Sequence, residues 1–371
     1  MQIGFDITPL SVPQSGVGTY TLNLLTRLAA CETDHLYPLY HRSIHAQSNI
    51  PSWLQSACEP KRSVNKTLWM QCLLPWELRH RHIQVAHFTN SVAPLLIQCP
   101  TVVTIHDMTL WLFPQHHYRR RLLAMRPFIP LVVRRAAAVI TVSHSAKDDL
   151  VRLLGVPREK VHVVYEAPAA EFQPLPAGHP SLRRVRQQYG LPSRFLLYVG
   201  TIEPRKNLVR LLEAFARLRQ RRKVPHHLLL VGSRGWKDSP VFEAIERLNL
   251  QSHVRFLDFV PIADLVALYN LADALAFPSL YEGFGLPVVE AMACGTPVIT
   301  SSSGSLGEVA GDAACIVQPR DVESIARGLE QVLLDDGCQE MLRLRGLEHV
   351  AQFKWERAAR ETRAIYERVA G

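Results

Sequence analysis

The chain has 371 residues, 47% of them apolar and 20% charged, which predicts two globular domains able to bury sizeable cores and excludes a disordered protein. Its seven cysteines include no C-x-x-C pair, so neither a disulfide framework nor a zinc site is indicated and a reducing cytosol is the expected compartment. The formal net charge is +9; residues 1–172 hold 17 Lys and Arg against 11 Asp and Glu and the remainder 25 against 22, a basic balance that either attracts nucleic acid, anionic lipid or a phosphorylated acceptor or is a solvated charged surface.

The N-terminus, MQIGFDITPL, has an acid where a signal peptide needs an apolar core, and no run of about 18 apolar residues occurs, so neither export nor membrane spanning is expected. Residues 2–7 predict a strand, and the loop SVPQSGVGTY leads into a helix over about 20–30. Strand, glycine-bearing turn and helix open a Rossmann-like unit. In it the N–H groups near Gly16 and Gly18 either face a diphosphate or close a tight turn. Residues 36–78 hold many prolines and few clear signals.

Short β-branched runs at 83–88, 101–105 and 138–142 predict buried parallel strands. His106 and Asp107 follow the second of these at its carboxyl end, where open α/β sheets take their ligands. A histidine there is either a ligand contact or a structural group. Residues 116–135, HHYRRRLLAMRPFIPLVVRR, alternate arginines with large apolar side chains, and Pro127 and Pro130 are expected to break any long helix. Such a surface can lie on anionic headgroups or hold a polyprenyl-diphosphate acceptor, or it can be a packed helix with a charged outer face.

Ser143 or Ser145 should cap the next helix, and 161–164 reads as a strand. EAPAAEFQPLPAGHP, without periodicity, reads as an inter-domain linker. Beyond it come a helix over 182–189, a strand over 195–199 and the sequence GTIEPRKNL. Arg205 and Lys206 thus sit at a strand's carboxyl end, before a helix over 208–218. Two cations at a helix start oppose its dipole, which argues for an anionic ligand such as a diphosphate. Strands are further expected at 227–231, 254–257 and 297–300, with helices over 321–334 and 339–366.

The most informative stretch is 280–295, LYEGFGLPVVEAMACG, after an apolar run at 275–277 that reads as a strand. Pro287 suits the first position of a helix and Gly295 the left-handed residue past its end. Glu282 then lies in the loop and Glu290 in the first turn. The free N–H groups of Phe284, Gly285 and Leu286 at a helix start favour phosphate, and two flanking carboxylates accept hydroxyls. The stretch suits a ligand both phosphorylated and polyhydroxylated; a plain surface loop is the alternative.

With EPRKN and GSRGW beside it, this stretch resembles the E-x7-E signature of retaining glycosyltransferases of family 4, and the loop with Gly16 and Gly18 is similar to that family's G-G-x-G-x-Y, with Ser15 in place of the first glycine. Two further departures are Glu166-Ala167, where the family often has Asn-Gly, and Gly307, where it usually has proline. The resemblance implies the GT-B fold, α/β, two Rossmann-like domains with parallel sheets facing across a cleft. Their expected bounds are 1–172 on the acceptor side and 173–350 for the nucleotide sugar, with 351–371 as a helix crossing back.

It also implies roles. His106 reaches the transferred sugar, Glu282 binds its hydroxyls, Glu290 binds ribose, and backbone groups of Val260 lie near the base. Arg205, Lys206 and the amides near Gly16, Gly18 and Phe284 to Leu286 would stabilise the leaving diphosphate. No metal or other cofactor is required for this, and no D-x-D pair is present. The expected activity is retaining transfer of a hexose, mannose or rhamnose type and a GDP-sugar favoured, to a glycan or polyprenyl-diphosphate-linked acceptor in cell-surface polysaccharide synthesis. The enzyme would be cytoplasmic, with an anionic membrane surface rather than nucleic acid as its partner. A UDP-glucose-type donor and a sugar-nucleotide epimerase of the same architecture are the alternatives.

Overall fold

A computed structural model of the chain describes residues 1–11, 16–30, 34–40, 54 and 65–371. Ser15 and most of 41–64 lie outside the described residues. The chain divides into two compact units, Met1–Glu166 with Lys354–Gly371, and Ala167–Phe353.

In the first unit six strands are described: β1 (Gln2–Asp6), β2 (His35–Leu39), β3 (Val85–Phe88), β4 (Thr101–Ile105), β5 (Ala138–Thr141) and β6 (Val161–Val163). They pair in parallel in the order β2-β1-β3-β4-β5-β6. Every residue of β3, β4 and β5 is buried, as expected of strands covered by helices on both faces. The last helix, Trp355–Ala370, belongs to this unit and packs on the helix Gly16–Ala29. Its Tyr366 hydroxyl meets His87 Nδ1 of β3 at 2.6 Å.

The second unit holds β7 (Phe195–Val199), β8 (His227–Val231), β9 (Val254–Leu257), β10 (Ala274–Phe277), β11 (Val298–Ser301) and β12 (Cys315–Val317). All are parallel in the order β12-β11-β10-β7-β8-β9. The chain winds outward from β7 to β9, then returns and winds the other way from β10. Helices leaving β7 and β10 therefore diverge to opposite faces, and the crevice at their carboxyl ends is where doubly wound sheets take ligands.

Four local expectations are corrected. Arg119–Arg135 is one helix with Pro127 and Pro130 inside it; burial of Ile129, Val132 and Val133 offsets the two missing N–H donors. The first helix begins at Gly16 rather than near residue 20, because Gly18, Tyr20 and Thr21 are already buried and tertiary packing outweighs glycine's weak propensity of about 1 kcal/mol. The expected helix over 339–366 is two, Asp336–Val350 and Trp355–Ala370, interrupted where Phe353 turns inward. Finally, the helix of the central stretch is Leu286–Ala293. Pro287 is thus its second residue and Glu290 its fifth, one turn in, because the left-handed Gly285 is itself the cap.

Candidate active site

Arg205 and Lys206 end a short 3-10 turn, Pro204–Lys206, in the loop that follows β7. They are outside the helix Leu208–Arg221, which starts only after Asn207 turns through φ +64. Both cations converge on Glu282, which follows β10. Arg205 Nη1 donates to Glu282 Oε2 at 2.6 Å and to the Tyr281 carbonyl at 2.6 Å, and Lys206 Nζ donates to Glu282 Oε1 at 2.8 Å. Arg205 Nη2 donates to Glu203 Oε1 at 2.6 Å. Two cations and two carboxylates thus stand together at the switch between β7 and β10.

The charges are strongly coupled because the cluster is buried, with Glu203 at 5% and Glu282 at 7% exposure. Burial alone would raise the Glu282 pKa, but the neighbouring Arg205 and Lys206 charges outweigh it and hold the carboxyl down to about 2. For Lys206 burial dominates and lowers its pKa, against the attraction of Glu282; its ammonium also lies 5.0 Å from the centre of the Phe277 ring.

The loop carrying Glu282 is clamped from several sides. Leu280 N donates to the Arg205 carbonyl at 2.9 Å, and Asn207 Nδ2 donates to the Pro278 carbonyl at 3.0 Å. Ser305 Oγ lies 3.1 Å from the Glu282 carbonyl and 2.8 Å from that of Phe284. Gly304 bridges Glu282 with φ +63, and a Cβ there would stand 2.6 Å from the Glu282 carbonyl oxygen. The backbone that aims this carboxylate admits only glycine at that contact.

Glu290 is buried on the helix that follows, and its Oε2 accepts from the Tyr269 hydroxyl at 2.9 Å. Phe284, Gly285 and Leu286 form the approach to this helix and its first residue, with Gly285 at φ +106. Val260 is buried after β9, the edge strand of the sheet, and takes no part in the ion-pair cluster. The structure therefore joins Arg205, Lys206 and Glu282, sets Glu290 and the Phe284–Leu286 amides on the same loop and helix, and leaves Val260 apart.

In the first unit His106 follows β4. Its Nε2 lies 2.9 Å from the Thr89 carbonyl oxygen and its Nδ1 3.2 Å from Glu166 Oε1. Gly16 is the first residue of its helix, and Gly18 is buried in the first turn. Three partners escaped the sequence reading: Glu203, Tyr269 and Glu166. Glu203 had a local signal, an acid two residues before Arg205 inside EPRKN; Tyr269 and Glu166 lie 21 and 60 residues from their partners, and the departure from Asn-Gly at Glu166 gave no hint of its partner. No group of three metal-ligating side chains and no helix long and apolar enough to cross a membrane occurs among the described residues.

Comparison with known proteins matches each unit to a glycosyltransferase family model. Residues 14–167 match Glycosyltransferase Family 4 and residues 183–348 match Glycosyl transferases group 1. The chain is 32% identical to O-antigen chain mannosyltransferase B of Escherichia coli, over 99% of each chain. It is 29% identical to the MMP alpha-(1->4)-mannosyltransferase of Mycolicibacterium hassiacum, over 88% of this chain and 79% of that one. Among solved structures Anabaena HepE, crystallised with UDP and glucose, superposes with a TM-score of 0.78 at 19% identity, covering 99% of this chain and 100% of the other. With two six-stranded parallel sheets, matches on both units and a full-length mannosyltransferase relative, the chain belongs to the GT-B glycosyltransferases, with a family 4 first unit and a group 1 second unit.

Proposed function

We propose that the chain transfers a hexose of the mannose or rhamnose type from a GDP-sugar to a glycan or polyprenyl-diphosphate-linked glycan in cell-surface polysaccharide synthesis, with retention at the anomeric carbon. The observation that carries the reading is the gathering of Arg205 and Lys206 on Glu282 at the switch point of the second sheet. The full-length mannosyltransferase relative supports the class of sugar.

In transfer, the bond from the anomeric carbon to the diphosphate breaks and its electron pair passes to the phosphate oxygen. The acceptor hydroxyl forms the new bond and loses its proton. Arg205, Lys206 and the Phe284–Leu286 amides would stabilise the charge that develops on the leaving diphosphate. Glu282 would hold sugar hydroxyls, Glu290 the ribose and Val260 the base. Gly16, Gly18 and His106 are the first unit's contributions in this reading. Two cations and a helix start meet the diphosphate charge, so the reading needs no metal ion.

Melting temperature in a panel of nucleotides tests it, since a ligand that binds only the folded chain raises it; at one hundred times Kd the gain is about 2.7 kcal/mol. A shift with GDP, and transfer from GDP-mannose that persists in a chelator, is the expected result. A shift with UDP alone would replace the donor and keep the class. Stabilisation by NAD alone, or by nothing, would remove the reading's support, and loss of transfer restored by magnesium would end the metal-free mechanism.

The same reading places the enzyme at the cytoplasmic face of an anionic membrane. The helix Arg119–Arg135 exposes Arg119, Arg120, Arg121, Arg134 and Arg135. Beside them Leu123 is 77% and Leu131 41% exposed. Basic groups interleaved with exposed leucines suit an anionic interface. Binding to vesicles containing phosphatidylglycerol is expected at low salt and release as salt rises, because exposed charges are screened beyond about 10 Å at 0.1 M. Binding that ignores salt, or none, would refute this placement.

A further inference from the structure

Both ring nitrogens of His106 meet groups that accept. The Thr89 carbonyl at 2.9 Å can only accept, so Nε2 carries a hydrogen. A neutral imidazole would then turn a lone pair from Nδ1 toward Glu166 Oε1 at 3.2 Å, and two facing acceptors repel. One proton must therefore lie between Nδ1 and the carboxyl. Glu166 is buried at 4% exposure, and among the described residues its one ion pair is with His106. A buried carboxylate needs a counter-charge, which the imidazolium supplies.

We propose that Glu166 is the positioning residue of His106: it fixes the ring and stabilises its doubly protonated form, so that a positive charge stands at the carboxyl edge of the first sheet, where an anionic substrate group would bind. The functional part of this inference rests on the glycosyltransferase reading; the proton pair itself does not. Glu166 lies where the family often has asparagine, and an amide cannot supply the charge.

The surroundings are consistent with one cation at this place. The Tyr20 ring stands edge-on to His106 with centroids 4.8 Å apart, and its hydroxyl is tied to Thr104 Oγ1 at 3.0 Å. The same Thr104 oxygen lies 2.8 Å from His87 Nε2. Burial, then the neighbouring His106 charge, pushes His87 down to about 3, so that ring stays neutral. Asp107 adds a negative charge next in the chain, its carboxylate accepting from Thr109 N at 2.9 Å and Oγ1 at 2.6 Å. Burial disfavours the charge on His106, but the Glu166 bond and charge, the Thr89 carbonyl and Asp107 together outweigh it and raise its pKa. The attraction is complete at and below the ordinary histidine value and is lost as pH rises through the raised one.

The test is an NMR titration of the His106 ring in the full chain, assigned by difference from His106→Gln. The wild-type midpoint is expected above the ordinary value of about 6.5, and Glu166→Gln should lower it by about one unit or more. The alkaline limb of the transfer rate should move down with it, and Glu166→Asp should restore part of both. A wild-type midpoint at or below the ordinary value, or one that Glu166→Gln does not move, overturns the proposal; if that variant does not fold, the wild-type midpoint decides alone. A raised midpoint in a chain that transfers no sugar sinks the transferase reading and upholds the proton pair. Transfer whose pH profile ignores Glu166→Gln ends the positioning role and spares the transferase.

Discussion

Arg205→Ala is expected to slow glycosyl transfer by about two orders of magnitude, the usual effect of removing one donor from a developing oxyanion. The structure adds a second effect that must be separated from the first. The guanidinium holds Glu203, Glu282 and the Tyr281 carbonyl, all at 2.6 Å. Without it Glu282 is left with Lys206 and Glu203 loses its ion pair, and breaking a buried pair of this kind costs about 3–5 kcal/mol. A lower melting temperature is therefore expected along with the lower rate. Adding Glu203→Gln removes one of the stranded charges, so the double variant should regain much of the stability and none of the rate. Arg205→Lys, which keeps the charge but loses the planar fork, should retain the fold with an intermediate rate. A destabilised Arg205→Ala enzyme with near-normal turnover would reduce Arg205 to a structural role.

How much of this cluster the sequence could reveal depended on the range of the contacts. The strands β7, β8 and β9 were legible at their ends because each is a short apolar run bounded by turn residues. EPRKN and the two glutamates eight residues apart single out Arg205, Lys206, Glu282 and Glu290 as candidates, since the loops after β7 and β10 and the helix that follows carry them. What they touch was not legible. Arg205 and Glu282 are 77 residues apart, and only the order β10-β7 in the sheet brings them together. The sequence reading assigned the cations to a ligand and the carboxylate to sugar hydroxyls; in the folded chain they first satisfy one another. The two prolines of Arg119–Arg135 were misread for the opposite reason, a local rule overridden by the buried face of the helix. Glu166 looked like a departure in a turn, and its meaning emerged only with His106 beside it.

That mutual satisfaction has a testable consequence, seen most clearly in Glu282→Gln, which is expected to cut transfer by about 100-fold while tightening the binding of free nucleoside diphosphate. In the wild-type chain Arg205 and Lys206 hold the Glu282 pKa near 2, overcoming the burial that would raise it. The pair's attraction is thus intact above the ordinary value of 4.5 and fades only as pH falls toward 2. A diphosphate that engages these cations must compete with Glu282 for them. The neutral amide removes the competitor, leaves two buried cations short of negative charge, and lowers the melting temperature of the empty chain. Added GDP should then raise that temperature by more than it does in the wild type, each tenfold gain in Kd being worth about 1.4 kcal/mol. The gain should fade at higher pH: burial already depresses the Lys206 pKa against the pull of Glu282, and with that pull gone the ammonium loses its proton at a lower pH. Diphosphate binding that is unchanged or weaker in Glu282→Gln would mean that Arg205 and Lys206 serve Glu282 rather than the donor. Undiminished transfer would mean that this carboxylate does not hold the sugar.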